Sequence, residues 1–82
     1  MKVFLSRKAA KALDEIPSEL RRRLDEKISE LSITPFPAGC RKLRGAQNSY
    51  RLRVGDIRVL YTILTKDEIL IFKIARRESA YT

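Results

Sequence analysis

Histidine is absent from this 82-residue chain, and there is one cysteine, Cys40. An intramolecular disulfide is therefore impossible, and a zinc site of the usual Cys/His kind is not expected. Ser-His and Cys-His catalysis are excluded outright. Any chemistry must run on Arg, Lys, Tyr, Asp, Glu or a group of the substrate. No apolar run approaches the ~20 residues needed to span a bilayer, and the apolar stretch near Met1 is too short for a signal peptide. The expected location is cytoplasmic, with no membrane partner and no cofactor. Low-complexity segments, repeats and long linkers are also missing, so residues 1–82 are expected to form one domain.

Positive charge is what the sequence has in excess. The net charge is +8, and residues 41–82 carry ten Lys/Arg against four Asp/Glu, whereas residues 1–40 carry eight against six. An imbalance of this size, confined to one half, points to nucleic acid or an acidic protein as partner.

Periodicity changes near residue 35. Residues 2–5 read as a short strand, and Ser6 is a good N-cap for a helix over roughly 7–15, with Ala9, Ala10, Leu13 and Ile16 as its apolar stripe. Pro17 stops that helix and suits the first position of a second one, running to about residue 32. Leu20, Leu24, Ile28 and Leu31 recur at spacings of four, four and three along one face of it. Arg21-Arg22-Arg23 is spread by helical geometry over the solvated side among acids. Pro35-Phe36-Pro37 sets the path from helix to sheet, and Cys40 follows it in a loop as an incidental thiol.

Beyond that point the period becomes two. Residues 41–45 read as a short strand, Tyr50, Leu52 and Val54 alternate with Arg51 and Arg53, and Gly55-Asp56 is a two-residue hairpin signal of type II′. A strand over 57–64, a polar turn at 65–68 and a last strand over 69–76 complete the chain. The fold class is α+β: two N-terminal helices packed on one face of a mostly antiparallel sheet of four to five strands.

The hairpin fixes a register in which Val54 faces Ile57, Arg53 faces Arg58, Leu52 faces Val59 and Tyr50 faces Tyr61. Tyr50, Leu52, Val54, Val59, Tyr61 and Ile63 then form the core face. An unbroken ladder from Leu64 opposite Ile69 adds Leu70, Phe72 and Ile74 to the core side and turns Ile71, Lys73 and Ala75 outward. The outer face then carries Arg51, Arg53, Arg58 and Lys73, with Arg77 on the same side by parity, and no strand carboxylate. Opposed like charges destabilise a sheet, so an anionic ligand is expected on this face.

Lys42-Leu43-Arg44-Gly45, the run Tyr50-Arg51-Leu52-Arg53-Val54-Gly55-Asp56-Ile57-Arg58-Val59-Leu60-Tyr61, and Arg76-Arg77 followed by Tyr81 together resemble the core and closing motif of RelE/ParE-superfamily toxins. The resemblance implies the toxin of a toxin–antitoxin pair. Its RelE branch cleaves messenger RNA in the ribosomal A site, whereas its ParE branch inhibits DNA gyrase; a relative that only binds nucleic acid or antitoxin is the further alternative. Basic residues in the RelE branch match Arg51, Arg53, Arg58 and Arg77, and a tyrosine matches Tyr81. These five are the expected catalytic set of a metal-independent endoribonuclease, with Lys42, Arg44, Lys73 and Arg76 as RNA-binding residues.

Two features depart from the family pattern: the positions of Arg51 and Arg53 are lysines in the best-known members, and several relatives place a histidine near the C-terminus. The chain ends at Thr82, short of a C-terminal helix some members carry, which is expected to shorten the surface an antitoxin meets. The implied partners are a cognate antitoxin with an acidic helical segment, forming a hetero-oligomer, and the ribosome with its mRNA. The implied chemistry is attack of the RNA's own 2′-hydroxyl on the adjacent phosphate, with arginines holding the developing charge. Arginine is a poor base, since its pKa exceeds ~12. Proton transfer would therefore fall to Tyr81 or to the nearest carboxylates, Asp56 and Glu78.

Overall fold

The computed structural model describes residues 1–76. Ser6 does what its position requires: its hydroxyl accepts from the Ala9 amide at 3.1 Å, and α1 runs Arg7–Asp14. The same hydroxyl donates to the Phe72 carbonyl at 3.2 Å, joining the helix start to the sheet. Pro17 stands at the N-cap of α2, Ser18–Ile33, one place before the expected first helical position. Leu24 and Leu31 of α2 are fully buried, and Leu20 and Ile28 are half-buried beside them. Arg21 is not spread into solvent. It donates to the Leu13 carbonyl at 3.2 Å and lies 3.6 Å from Asp14 and 3.7 Å from Asp25, so it ties the end of α1 to α2.

Five strands follow the order β1-β5-β4-β3-β2. They are β1 (Lys2–Leu5), β2 (Arg41–Lys42), β3 (Ser49–Val54), β4 (Ile57–Thr65) and β5 (Glu68–Arg76). All pairings are antiparallel except β1 with β5. The expected short strand over 41–45 contracts to two residues, because Arg44 and Gly45 turn away and only the Leu43 amide continues the pairing, to the Ser49 carbonyl at 2.9 Å. Both helices lie on one face of the sheet, over Leu52, Val54, Ile57, Val59, Tyr61, Ile69, Ile71 and Ile74.

The β3–β4 register is the expected one, from Val54 opposite Ile57 to Tyr50 opposite Tyr61. Gly55 has φ +63 and Asp56 is not among the residues with positive φ, as a turn with only its first central residue left-handed requires. The β4–β5 register departs from the unbroken ladder twice. Ile63 rather than Leu64 faces Ile69, and the ladder shifts again between Leu60/Tyr61, so that Leu60 faces Lys73 as expected. The first shift leaves Leu64 as an extra residue on β4 and the second leaves Phe72 as one on β5; each is a β-bulge. Between the two bulges β5 is turned over. Ile69 and Ile71 are fully buried, whereas Leu70 and Phe72, expected in the core, lie half-buried on the other side. The bulges offset one another, which is why Lys73, Ile74 and Ala75 keep the faces expected of them. Glu68, expected in the turn, begins β5 opposite Lys2 and accepts from the Thr65 hydroxyl at 3.2 Å.

Candidate nucleic-acid interface

No described element covers the other face of the sheet. On β3, Arg51 and Arg53 alternate with buried Leu52 and Val54, so pleating alone sends both arginines outward. Arg53 is directly opposite Arg58 of β4, whose own neighbour on β5 is Ala75. Arg53 is exposed, and Arg58 is buried, with 8% of its surface accessible. Beside them lies an open cleft of about 270 Å³, lined among the described residues by Arg53, Gly55, Asp56 and Arg58. Lys73 is opposite Leu60, two residues from Arg58 along β4. Thus the described part of the expected catalytic set, Arg51, Arg53 and Arg58, is gathered on one surface with Lys73. Arg77 and Tyr81, together with Glu78, lie outside the described residues.

The other expected RNA-binding residues are dispersed. Lys42 is opposite Tyr50 and so has the parity of the helix-covered face, at the exposed edge of the sheet. Arg44 is exposed in the turn after β2. Arg76 is opposite Ile57 and lines a separate cleft with Ala12, Glu15 and Ile16 on the helix side.

In their stead the register brings Arg41 to the cationic face, directly opposite Arg51. Sequence parity does not reveal this residue, because β2 is two residues long and only its hydrogen-bonded register assigns a face. Arg23 is a second addition: a side chain at Gly55 would meet its Nη1 at 3.8 Å, so this helix guanidinium reaches the tip of the hairpin.

Toward β1 the face becomes partly apolar. Phe4 is opposite Leu70, with Phe72 next to it on β5; Phe4 is 44% exposed and Leu70 and Phe72 half-buried. The uncovered surface therefore passes from guanidinium groups on β2–β4 to a mixed border on β1 and β5, where Phe4, Leu70 and Phe72 share the face with Lys73 and with Lys2 opposite Glu68.

The tyrosines of β3 and β4 belong to the packing. Tyr50 and Tyr61 stack with ring centroids 5.8 Å apart, and Phe36 meets Tyr50 edge-on at 5.2 Å. Tyr61 is fully buried and donates to the Pro35 carbonyl at 2.7 Å. Burial, followed by the nearby Cys40 thiol and Tyr50, pushes its hydroxyl well above the ordinary tyrosine range, so it stays protonated. Among the described residues no helix is long and apolar enough to cross a membrane, and no three His, Cys, Asp or Glu side chains form a metal-holding group.

Comparison with known proteins agrees with this geometry. The family profile for the ParE toxin of the type II toxin–antitoxin system, parDE, matches residues 3–81. Putative toxin RelE1 of Methanocaldococcus jannaschii is 35% identical, over 96% of this chain and 92% of the relative. The RelE–RelB complex of Pyrococcus horikoshii contains a chain that superposes with a TM-score of 0.80 at 34% identity, covering 93% of each. A chain of the RelB–RelE antitoxin–toxin complex from Methanococcus jannaschii superposes with a TM-score of 0.81 at 25% identity, over 95% of this chain and 94% of the other. With the profile spanning nearly every residue and the helix–helix–sheet order shared, this chain belongs to the ParE toxin family of type II toxin–antitoxin systems and is RelE-like within that superfamily.

Proposed function

We propose that this toxin acts as a ribosome-dependent endoribonuclease, cleaving messenger RNA in the A site. The observation that carries the reading is the Arg53–Arg58 pair beside an open cleft, on a sheet face to which β2, β3 and β4 contribute no carboxylate. Two guanidinium groups approaching one phosphate from adjacent strands donate to different non-bridging oxygens and stabilise the charge that accumulates on phosphorus. The nucleophile is the 2′-hydroxyl of the RNA. Its oxygen bonds to phosphorus, the 5′-oxygen leaves, and the products are a 2′,3′-cyclic phosphate and a 5′-hydroxyl. One proton must leave the 2′-oxygen and one must reach the 5′-oxygen. Among the described residues Asp56 is the carboxylate lining the cleft. In this reading, groups of the ribosome complete the proton transfers.

The archaeal relatives of known structure from Methanococcus jannaschii and Pyrococcus horikoshii are toxin–antitoxin complexes. The cationic face, with Phe4, Leu70 and Phe72 at its border, fits an antitoxin segment that carries both acidic and apolar side chains, forming a hetero-oligomer in the cytoplasm.

Induced expression in a bacterial host, with pulse labelling of protein and DNA synthesis, tests the reading. The expected result is a rapid stop in protein synthesis, with transcripts cut inside codons and the effect abolished by Arg58→Ala. The matched family takes its name from ParE, so arrest of DNA synthesis with translation continuing would instead identify a gyrase inhibitor. Efficient cleavage of free RNA by the purified protein would refute ribosome dependence.

A further inference from the structure

The outward face of β3 carries two arginines, and each has a cation directly across from it on a different neighbouring strand. Arg51 is opposite Arg41 of β2, and Arg53 is opposite Arg58 of β4. Directly opposed like charges oppose strand pairing. Here two such pairs share one strand, and one of them falls on β2, which has only two residues with which to hold its place. Arg41 is exposed and forms no ion pair with any described residue. An anion shared between Arg41 and the guanidinium directly across from it would make this position favourable.

We infer that Arg41 and Arg51 form a second phosphate subsite, one nucleotide from the Arg53/Arg58 cleft, so that the ligand of this face is a single strand with at least two consecutive phosphodiesters running toward the β2 edge. This rests on the reading of the cleft as the site of RNA cleavage. The geometry of the offset supports it. The centre of one arginine pair is displaced from the other by one strand spacing, about 5 Å, and by two residues along β3, about 7 Å. That is too far for the two pairs to share one phosphate and suits neighbouring phosphates of one strand, with the long arginine side chains taking up the difference. The chemistry of the pairing favours phosphate over carboxylate. One guanidinium fork satisfies a carboxylate by itself, whereas a phosphodiester between two strands offers one non-bridging oxygen to each of two arginines. Lys73 shares the row of Arg41 and Arg51 but is separated from Arg51 by Leu60, so it stands outside the pair.

Two ligands that cannot be cleaved test the subsite: a 2′-O-methyl RNA hexamer, followed by fluorescence anisotropy over a salt series, and a 2′-O-methyl dinucleotide with a single phosphodiester, followed by chemical-shift titration. Arg41→Ala is expected to weaken hexamer binding and to reduce the slope of log affinity against log salt by about 0.7, the contribution of one phosphate contact on a single strand. Dinucleotide binding is expected to stay as in the unsubstituted protein, and Arg41→Lys should restore most of the slope. Arg41 is exposed at the sheet edge, so the melting temperature of Arg41→Ala is expected to be unchanged, and weakened binding is then not a folding defect. Should Arg41→Ala leave the slope unchanged while Arg53→Ala reduces it, the second subsite is refuted and the cleft reading stands. If neither substitution alters hexamer binding, the reading of the face falls and the subsite with it. If Arg41→Ala abolishes binding of an acidic helical peptide but leaves the hexamer slope intact, Arg41 serves a protein partner and the inference is overturned.

Discussion

Arg53 and Arg58 face each other across the β3–β4 hairpin, yet only Arg53 is open to solvent. In the proposed reading the pair acts on one phosphate, so the two substitutions should not be independent. Arg53→Ala and Arg58→Ala are each expected to lower cleavage of ribosome-bound mRNA by about 10²–10³. The double variant should lose less than the product of the two, since the groups act as a unit. Single-turnover cleavage measures both. Thermal unfolding should separate them: Arg53→Ala leaves stability unchanged or slightly higher, whereas Arg58→Ala empties a buried position and lowers it.

Tyr61 gives a prediction in alkaline solution. Its hydroxyl is held protonated in the fold, with a pKa raised above that of the unfolded chain, by burial first and then by Cys40 and Tyr50. A raised folded-state pKa contributes stability that is complete below the unfolded value, about 10, and is lost as pH rises beyond it. Melting temperatures measured from pH 8 to pH 12 should therefore fall more steeply for the unsubstituted protein than for Tyr61→Phe. At neutral pH, Tyr61→Phe leaves the Pro35 carbonyl without its donor and should cost about 1–3 kcal/mol in urea unfolding.

The two bulges can be tested by truncating neighbours on β5. Ile71 is fully buried and Leu70 is half-buried on the uncovered face. Ile71→Ala should destabilise by about 2–5 kcal/mol, and Leu70→Ala by clearly less. Chemical denaturation with a shared m-value reads the difference. An unbroken ladder requires the reverse order.

Ser6 has two bonds that different substitutions separate. Ser6→Ala loses both the cap to Ala9 and the tie to Phe72, and should cost about 1 kcal/mol or somewhat more. Ser6→Asp keeps an acceptor for the Ala9 amide but has no proton to donate to the Phe72 carbonyl. It should recover the cap alone, and hydrogen exchange at the α1 and β5 amides distinguishes the two losses.

Much of this arrangement is legible in the residue order. The leucines of α2 state their buried face through spacing alone, and Ser6 and Pro17 mark helix boundaries because capping is local chemistry. Gly55-Asp56 determines the register from Tyr50 to Tyr61, since a two-residue turn leaves no freedom in what faces what. The clustering of Arg51, Arg53 and Arg58 on one face follows from that register.

What the residue order could not express is where regularity breaks. Residues 69–74, Ile-Leu-Ile-Phe-Lys-Ile, are nearly continuous in hydrophobicity, so alternation carries no signal, and a one-residue slip exchanges the two faces. Only packing against α1 and α2 decides that Ile69 and Ile71 go in and Leu70 goes out, at the cost of a bulge on each strand. Arg41 is the same case at the sheet edge. Its charge is plain in the sequence, but a two-residue strand has no period, and the backbone pairing with β3 alone sets it opposite Arg51. By itself the sequence determined the helices, the hairpin and the sign of the charge on its outer face. The tertiary structure decided how far that charge extends and which apolar side chains border it, because hydrogen-bond register and core packing are relations between segments that no local pattern contains.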